Sequence, residues 1–330
     1  MFHGMNFKAV LVTTAGFTVL AGCAAAPPPP PAPPRVVAAK HTNSLAVDAA
    51  PAPSAIYADP ASACAGIGGK YVGNLKCQMS DGSVAQILSG ADATRARATS
   101  IPVAPGTPRA WVLATTAITF EYDGYRHDTL TGTAATPDAM ASGAKLLSQW
   151  WGIDNRDDLL KTLKWLQFEG HRSEFDQLGR QVNAMTDAQF ITVEDELQRY
   201  AEQLHRLEIV RQHYRELGGK SILAWDLVRY ISLCRWGYLA GYLSEMEAWD
   251  HIMAAALRLQ QTFVSWRDLQ SDFLIGREFW SMEQTRKTGT PFRVIYDRFI
   301  DDRASPWNVN DWNMNLHVVS PLSINDRPRE

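Results

Sequence analysis

All eleven tryptophans of this 330-residue chain stand at or after Trp111. A tryptophan brings a large apolar surface that must be covered. A chain that withholds it from its N-terminal part and crowds it into the rest has its main core in the rest, opening near Pro108. That region is punctuated as helices. Asp154 is placed to cap a helix over 155–169 that Gly170 stops, with Leu159, Leu160, Leu163 and Leu166 at helical spacing. Thr186 with Gln189 has the form of a capping box, opening a long helix towards Leu217 and Gly218-Gly219. The stretch 221–239 reads as another helix. Ser244 with Glu247 and Ser265 with Asp268 are two further boxes, predicting helices over 245–262 and 266–285. After Thr288 the prolines Pro291, Pro306 and Pro321 predict a loop-rich wrap anchored by Trp307 and Trp312. Over 111–122 two local signals disagree. Its Val, Thr, Ile, Phe and Tyr favour strand, while Leu113, Ala114, Ala117 and Ile118 recur at helical spacing.

Composition narrows the function classes. Hydrophobic residues make up 46% and charged residues 20%, an ordinary globular balance. The formal net charge is −3, and removing residues 1–22 takes away Lys8 and no acid, moving −3 to −4. A nucleic-acid partner is not expected without a strong basic surface. No phosphate loop, dinucleotide fingerprint or nucleophile elbow is present. Histidines and acids are too scattered for a metal site, so neither a metal nor a cofactor is expected.

The N-terminus reads as an export signal. Met1 to Lys8 is a short basic segment, and Ala9 to Gly22 is apolar but short for a membrane span. It closes on Leu20-Ala21-Gly22-Cys23, which resembles the lipobox of bacterial lipoproteins. The resemblance implies cleavage after Gly22, diacylglycerol on the Cys23 thiol, and acyl chains such as palmitate as a membrane anchor. Each buried methylene contributes about 0.8 kcal/mol, so two or three chains hold a protein stably. Residue 24 is alanine, not aspartate. By resemblance to enterobacterial lipoproteins this implies the outer membrane, with the protein facing the periplasm. Residues 23–58 follow as a lipidated cysteine and a Pro/Ala-rich linker, including Pro27 to Pro31, which favours extended polyproline II and builds no core.

Residues 59–107 hold a small cysteine element. Cys64 and Cys77 flank Gly68-Gly69, and Asp81-Gly82-Ser83 closes the pattern. In an oxidising compartment, and with Cys23 lipidated, Cys64 and Cys77 predict a disulfide-closed hairpin. Such a bridge stabilises by about 3 kcal/mol. The pattern also resembles a small cysteine motif of exported bacterial proteins. Cys234, in an apolar helical stretch, reads as a buried, inert thiol.

Several ordered segments carry a wider resemblance. They are Gly124 to Leu130, Trp150-Trp151-Gly152-Ile153 with Arg156, Trp165-Leu166 before Gly170-His171-Arg172, and Ala224-Trp225-Asp226-Leu227 with Arg229. Arg235-Trp236-Gly237-Tyr238, Glu247-Ala248-Trp249, Ser265-Trp266, Gly276-Arg277 with Phe279-Trp280, and Ser305-Pro306-Trp307 continue the series. Together they resemble the bacterial family called domain of unknown function 1266, over residues 108–315, with 316–330 as a tail. The resemblance implies a mostly helical domain, favours helix over 111–122, and implies no activity. The expected fold is mainly α: a tryptophan-rich helical domain after a disulfide-closed element and a tether.

The polar residues of these segments support more than one role. Asp226 and Arg229 are three apart and share a helix face. They could form an ion pair bridging to a neighbouring helix, with arginine guanidinium planes stacking on tryptophan and His171 capping the last carbonyls of its helix. Alternatively His171, Arg172, Asp226, Arg229 and Arg277 gather round a pocket. A carboxylate-oriented His171 would then act as general base in a hydrolase for an anionic envelope molecule held by the arginines. A third reading makes surface Trp and Arg the anchors for another envelope protein. The leading expectation is an envelope interaction or structural role; an enzyme acting on a small-molecule ligand is the alternative.

Overall fold

The computed structural model describes residues 60–66, 68–88 and 90–318, with the pairs 13–14 and 17–18. Contacts divide the chain into two units, Met1–Pro31 and Ala32–Glu330. In the first, β1 (Thr13–Thr14) pairs antiparallel with β2 (Phe17–Thr18), inside the stretch read as the apolar core of the signal. The predicted lipidation site Cys23, the linker and the tail from residue 319 lie outside the described residues.

The second unit opens on α1 (Pro60–Gly66), whose Pro60 suits a first helical position. A three-stranded antiparallel sheet follows, β3 (Lys70–Gly73), β4 (Lys76–Gln78) and β5 (Val84–Gln86), in that spatial order. The Cys64–Cys77 disulfide is present, with Cα atoms 5.6 Å apart. It ties α1 to the middle strand, where the sequence predicted a bridge closing a hairpin. The backbone at Gly69 passes so near β4 that a Cβ there would lie 3.1 Å from the Cys77 Cβ, which accounts for a glycine before β3. Helix α2 (Gly90–Thr99) leads towards the main core.

Residues 111–122 are helical, as α3 (Pro108–Thr115) and α4 (Ala117–Tyr122). Thr107 accepts from the Ala110 N–H, and every residue from Ala110 to Ile118 is buried. Helical period outweighs β propensity because this segment is covered from all sides. Next come α5 (Pro137–Trp151) and α6 (Arg156–Phe168). The cap of α6 is Asn155, not the expected Asp154. Asn155 Oδ1 accepts from Asp158 N at 3.0 Å, while the Asp158 carboxylate turns back to the Asp154 N–H and the Asn155 amide.

Helix α7 (Arg172–Ala184) precedes α8 (Asp187–Leu197) and α9 (Ala201–Leu217). The Thr186–Gln189 capping box forms, but the single helix expected from it breaks at 198–200. Burial explains the break. α8 has no buried residue, whereas α9 buries Leu207, Ile209, Val210 and Leu217. The chain folds α8 back on α9, where Arg211 lies over the Phe190 ring and pairs with Asp187.

The hub is α10 (Leu223–Ala240), which packs against α5, α6, α11 (Glu245–Thr262) and α12 (Trp266–Trp280). Every α10 residue except Arg229, Tyr238 and Ala240 is buried, as expected of a helix apolar on all sides. The Ser244–Glu247 box caps α11 as predicted. Helix α12 stops short of the expected residue 285, because Ser281 turns extended and accepts from Gln284 N to cap α13 (Met282–Asp301). Pro291 therefore sits inside a helix, where a loop was predicted. An interior proline costs about 3 kcal/mol, and burial of Phe292, Tyr296 and Phe299 at helical spacing offsets it. Beyond Asp301 the irregular segment is anchored as expected. Trp307 donates to Ala114 O, and Trp312 packs against Trp111 and Trp266 with ring centroids 5.1 Å away in each case.

Candidate functional site

The α6–α7 junction meets the buried centre of α10. Gly170 has φ +60°, and a Cβ there would lie 2.0 Å from Asp226 Oδ2. Only glycine meets both demands, a left-handed turn and a carboxylate against its backbone. The contact lets Asp226 cap α7 from another helix: His171 N donates to Oδ1 at 2.9 Å and Arg172 N to Oδ2 at 3.1 Å. A carboxylate at a helix N-terminus also opposes the positive end of the helix dipole.

Two guanidinium groups complete the carboxylate's shell. Arg172 Nη1 donates to Oδ2 and Arg229 Nη2 to Oδ1, both at 2.9 Å. Asp226 is fully buried, and the side chains of Arg172 and Arg229 are nearly so. Burial pushes the Asp226 carboxyl pKa up, while Arg229, Arg172 and the two backbone amides pull it down. Arg172 also donates to Leu166 O and Gln167 O, closing the C-terminus of α6. Arg229 donates through Nε to Trp225 O and lies over Trp225 at 4.1 Å and Trp151 at 5.3 Å.

His171 stands at the cap position of α7 and makes no side-chain cap there, and its ring meets Arg229 rather than the last carbonyls of α6 that one reading gave it. Its Nδ1 lies 2.8 Å from Arg229 Nη2 and 3.9 Å from Asp226 Oδ1. A guanidinium only donates. Nδ1 must therefore accept, which leaves the ring neutral with its proton on Nε2. Burial first, and then Arg229 and Arg206, hold its pKa well below the ordinary histidine value. The lone pair that a base would use at Nδ1 is thus engaged by an arginine.

The structure brings His171, Arg172, Asp226 and Arg229 together. Arg277 belongs to a separate arrangement, donating to Gln284 O and Thr288 Oγ1 above the Phe292 ring. Arg235 is wholly buried among Leu130 O, Thr129 O and Thr116 Oγ1, stacked on Phe120. Cys234 is buried and free. Sequence reasoning treated Gly170 as a helix stop alone and passed over Arg258, which donates to Gln167 O at 3.1 Å. Among the described residues no group of three or more His, Cys, Asp or Glu could hold a metal, and no helix is long and apolar enough to cross a membrane.

The junction lies inside a region shared with known proteins. The profile of a family described as protein of unknown function (DUF1266) matches residues 146–312. The chain belongs to this family. The DUF1266 match includes every residue of the Asp226 cluster and begins after the segment 124–130. Two relatives from Escherichia coli (strain K12) are similar over part of their length. Uncharacterized protein YbeR is 30% identical over 138 residues, 41% of this chain and 56% of YbeR. Uncharacterized protein YbeU is 29% identical over 139 residues, 42% of this chain and 58% of YbeU. The chain thus spans a little over half the length of these relatives. No solved structure matches.

Proposed function

We propose that this DUF1266 protein is an envelope lipoprotein, acylated at Cys23 and held at the outer membrane facing the periplasm, whose helical domain has an interaction or structural role. One observation carries the choice of role. The charged groups of the Asp226 cluster are buried in pairs with one another and with backbone, and the lone pair of His171 Nδ1 is occupied by Arg229. A hydrolase using His171 on an anionic envelope molecule would need that lone pair open towards substrate. The Cys64–Cys77 disulfide supports export to an oxidising compartment, and the Leu20-to-Cys23 sequence supports acylation.

The anchor is tested by mass spectrometry of the mature N-terminus and by membrane fractionation. Wild type should start at an acylated Cys23 and sediment with outer membrane, and Cys23→Ala should accumulate as precursor. A Cys23→Ala protein still processed and recovered in outer membrane sinks the anchor. The role is tested on a fragment starting near residue 59, with thermal stability measured during a screen of envelope metabolites. Loss of stability in His171→Ala and Asp226→Asn, with any wild-type ligand shift retained, supports the structural reading. Intact stability with loss of a wild-type ligand shift overturns it.

A further inference from the structure

Two guanidinium groups converge on one acceptor just outside the Asp226 cluster. Arg172 Nη2 donates to Gln167 O at 2.7 Å, and Arg258 Nη1 donates to the same oxygen at 3.1 Å. Two like charges are held within two hydrogen-bond lengths of each other. The local balance is positive. Arg172, Arg229 and Arg258 face one carboxylate, Asp226, and the carbonyl end of α6 adds roughly half a negative charge. Asp226 is fully buried and already accepts from four donors.

Arg258 differs from the other two arginines in being exposed. Its Nε and Nη2 donate to no group among the described residues, and it makes no ion pair there. Partial burial first, and then Arg172, weigh against its charge, while Asp226 favours it. The planar fork of an arginine fits a two-oxygen anion, and a second guanidinium beside it adds attraction without new ordering. Phe168, next to Gln167 in the chain, is 66% exposed, and Trp165 one turn earlier is half-buried.

We propose that Arg258 and Arg172, gathered on the Gln167 carbonyl at the end of α6, form a binding subsite for an oxyanion, a carboxylate or phosphate group. This goes beyond the anchor and the structural role, and it stands or falls independently of acylation at Cys23.

The test is a thermal-shift titration of the full chain with inorganic phosphate and with acetate, at constant ionic strength against chloride. Wild type should show a saturable rise in Tm with at least one of them, and the probe that acts identifies the group bound. Arg258→Gln should lose the rise, and Arg258→Lys, which keeps the charge without the fork, should weaken it several-fold. Arg293→Gln, an exposed arginine elsewhere, should leave it unchanged. Should Arg258→Gln fold poorly, the Arg258 Nε–Hε resonance of wild type should move with phosphate or acetate and not with chloride. No saturable rise in wild type, an equal rise in Arg258→Gln, or an unmoved Arg258 resonance overturns the proposal.

Discussion

Two buried aspartates perform the same backbone task in this protein with different company. Asp226 on α10 receives the first amides of α7, and Asp272 on α12 receives the Ala224 N–H near the start of α10 at 2.8 Å. Each closes a helix that has no side-chain cap of its own. Asp226 uses both oxygens and is flanked by two arginines. Asp272 uses one oxygen; its Oδ2 has no partner among the described residues, and burial pushes its pKa well above the ordinary carboxylate value. The difference is one of charge. Burial raises both carboxyls, but at Asp226 two guanidiniums and two amides pull it back down and tie it into a network that fails as a unit, whereas Asp272 meets a single amide and acts as a polar cap alone.

The largest effect that sharpens this contrast is expected from Asp226→Asn. Its amide would turn a donor towards an arginine or a backbone N–H and leave two buried guanidiniums without an anion. Breaking a buried ion pair typically costs about 3–5 kcal/mol, so chemical denaturation should show a loss of that order. A loss no greater than that of Asp272→Asn would erase the distinction. Gly170→Ala should come next, at about 2–3 kcal/mol. The left-handed backbone alone costs an alanine about 1 kcal/mol, and its Cβ would displace the Asp226 carboxylate. A stability equal to wild type would mean that the close approach is relieved elsewhere.

A smaller effect separates the two sites by pH. The His171 pKa lies well below 6.5 in the folded chain. As pH falls through 6.5 the unfolded chain takes up the proton first, so stability is complete above that value and declines below it until folded His171 titrates. Tm followed from pH 7.5 to 5 should fall in wild type and fall less in His171→Gln. Parallel curves would show that His171 is not held neutral.

What the sequence disclosed follows from how local each signal is. The Thr186–Gln189 and Ser244–Glu247 boxes are contacts three residues apart, and both form. The Asp226–Arg229 pairing was readable for the same reason. The break after α8, the helix through Pro291 and the cystine reaching α1 rather than closing a hairpin all depend on which faces get covered, which no local pattern states. Within the site, Gly170-His171-Arg172 was visible as a segment, but its partner lies on another helix. The sequence could not tell whether Asp226 orients His171 or, as found, Arg229 stands between them. Arg258 had no local signal, because its acceptor is a carbonyl more than ninety residues away in the chain.

The smallest expected effect is that of Asp272→Asn, and its pH dependence tells most. The asparagine Oδ1 can keep the Ala224 N–H, so the cap survives. At low pH, where the carboxyl is protonated, the exchange replaces one neutral polar group by another and should change stability by less than about 1 kcal/mol. A carboxyl whose pKa is raised in the folded state contributes stability below its unfolded value near 3.8 and loses it as pH rises through the folded value. Wild type therefore weakens with rising pH through this group, and Asp272→Asn does not. The variant should match wild type in acid and gain on it towards neutral and alkaline pH, measured as the difference in denaturation midpoint across a pH series. Asp226→Asn should lose at every pH where its arginines remain charged. A difference for Asp272→Asn that stays flat with pH, or grows more unfavourable as pH rises, would show that burial does not raise the Asp272 carboxyl in the folded chain and would remove this contrast between the two junctions.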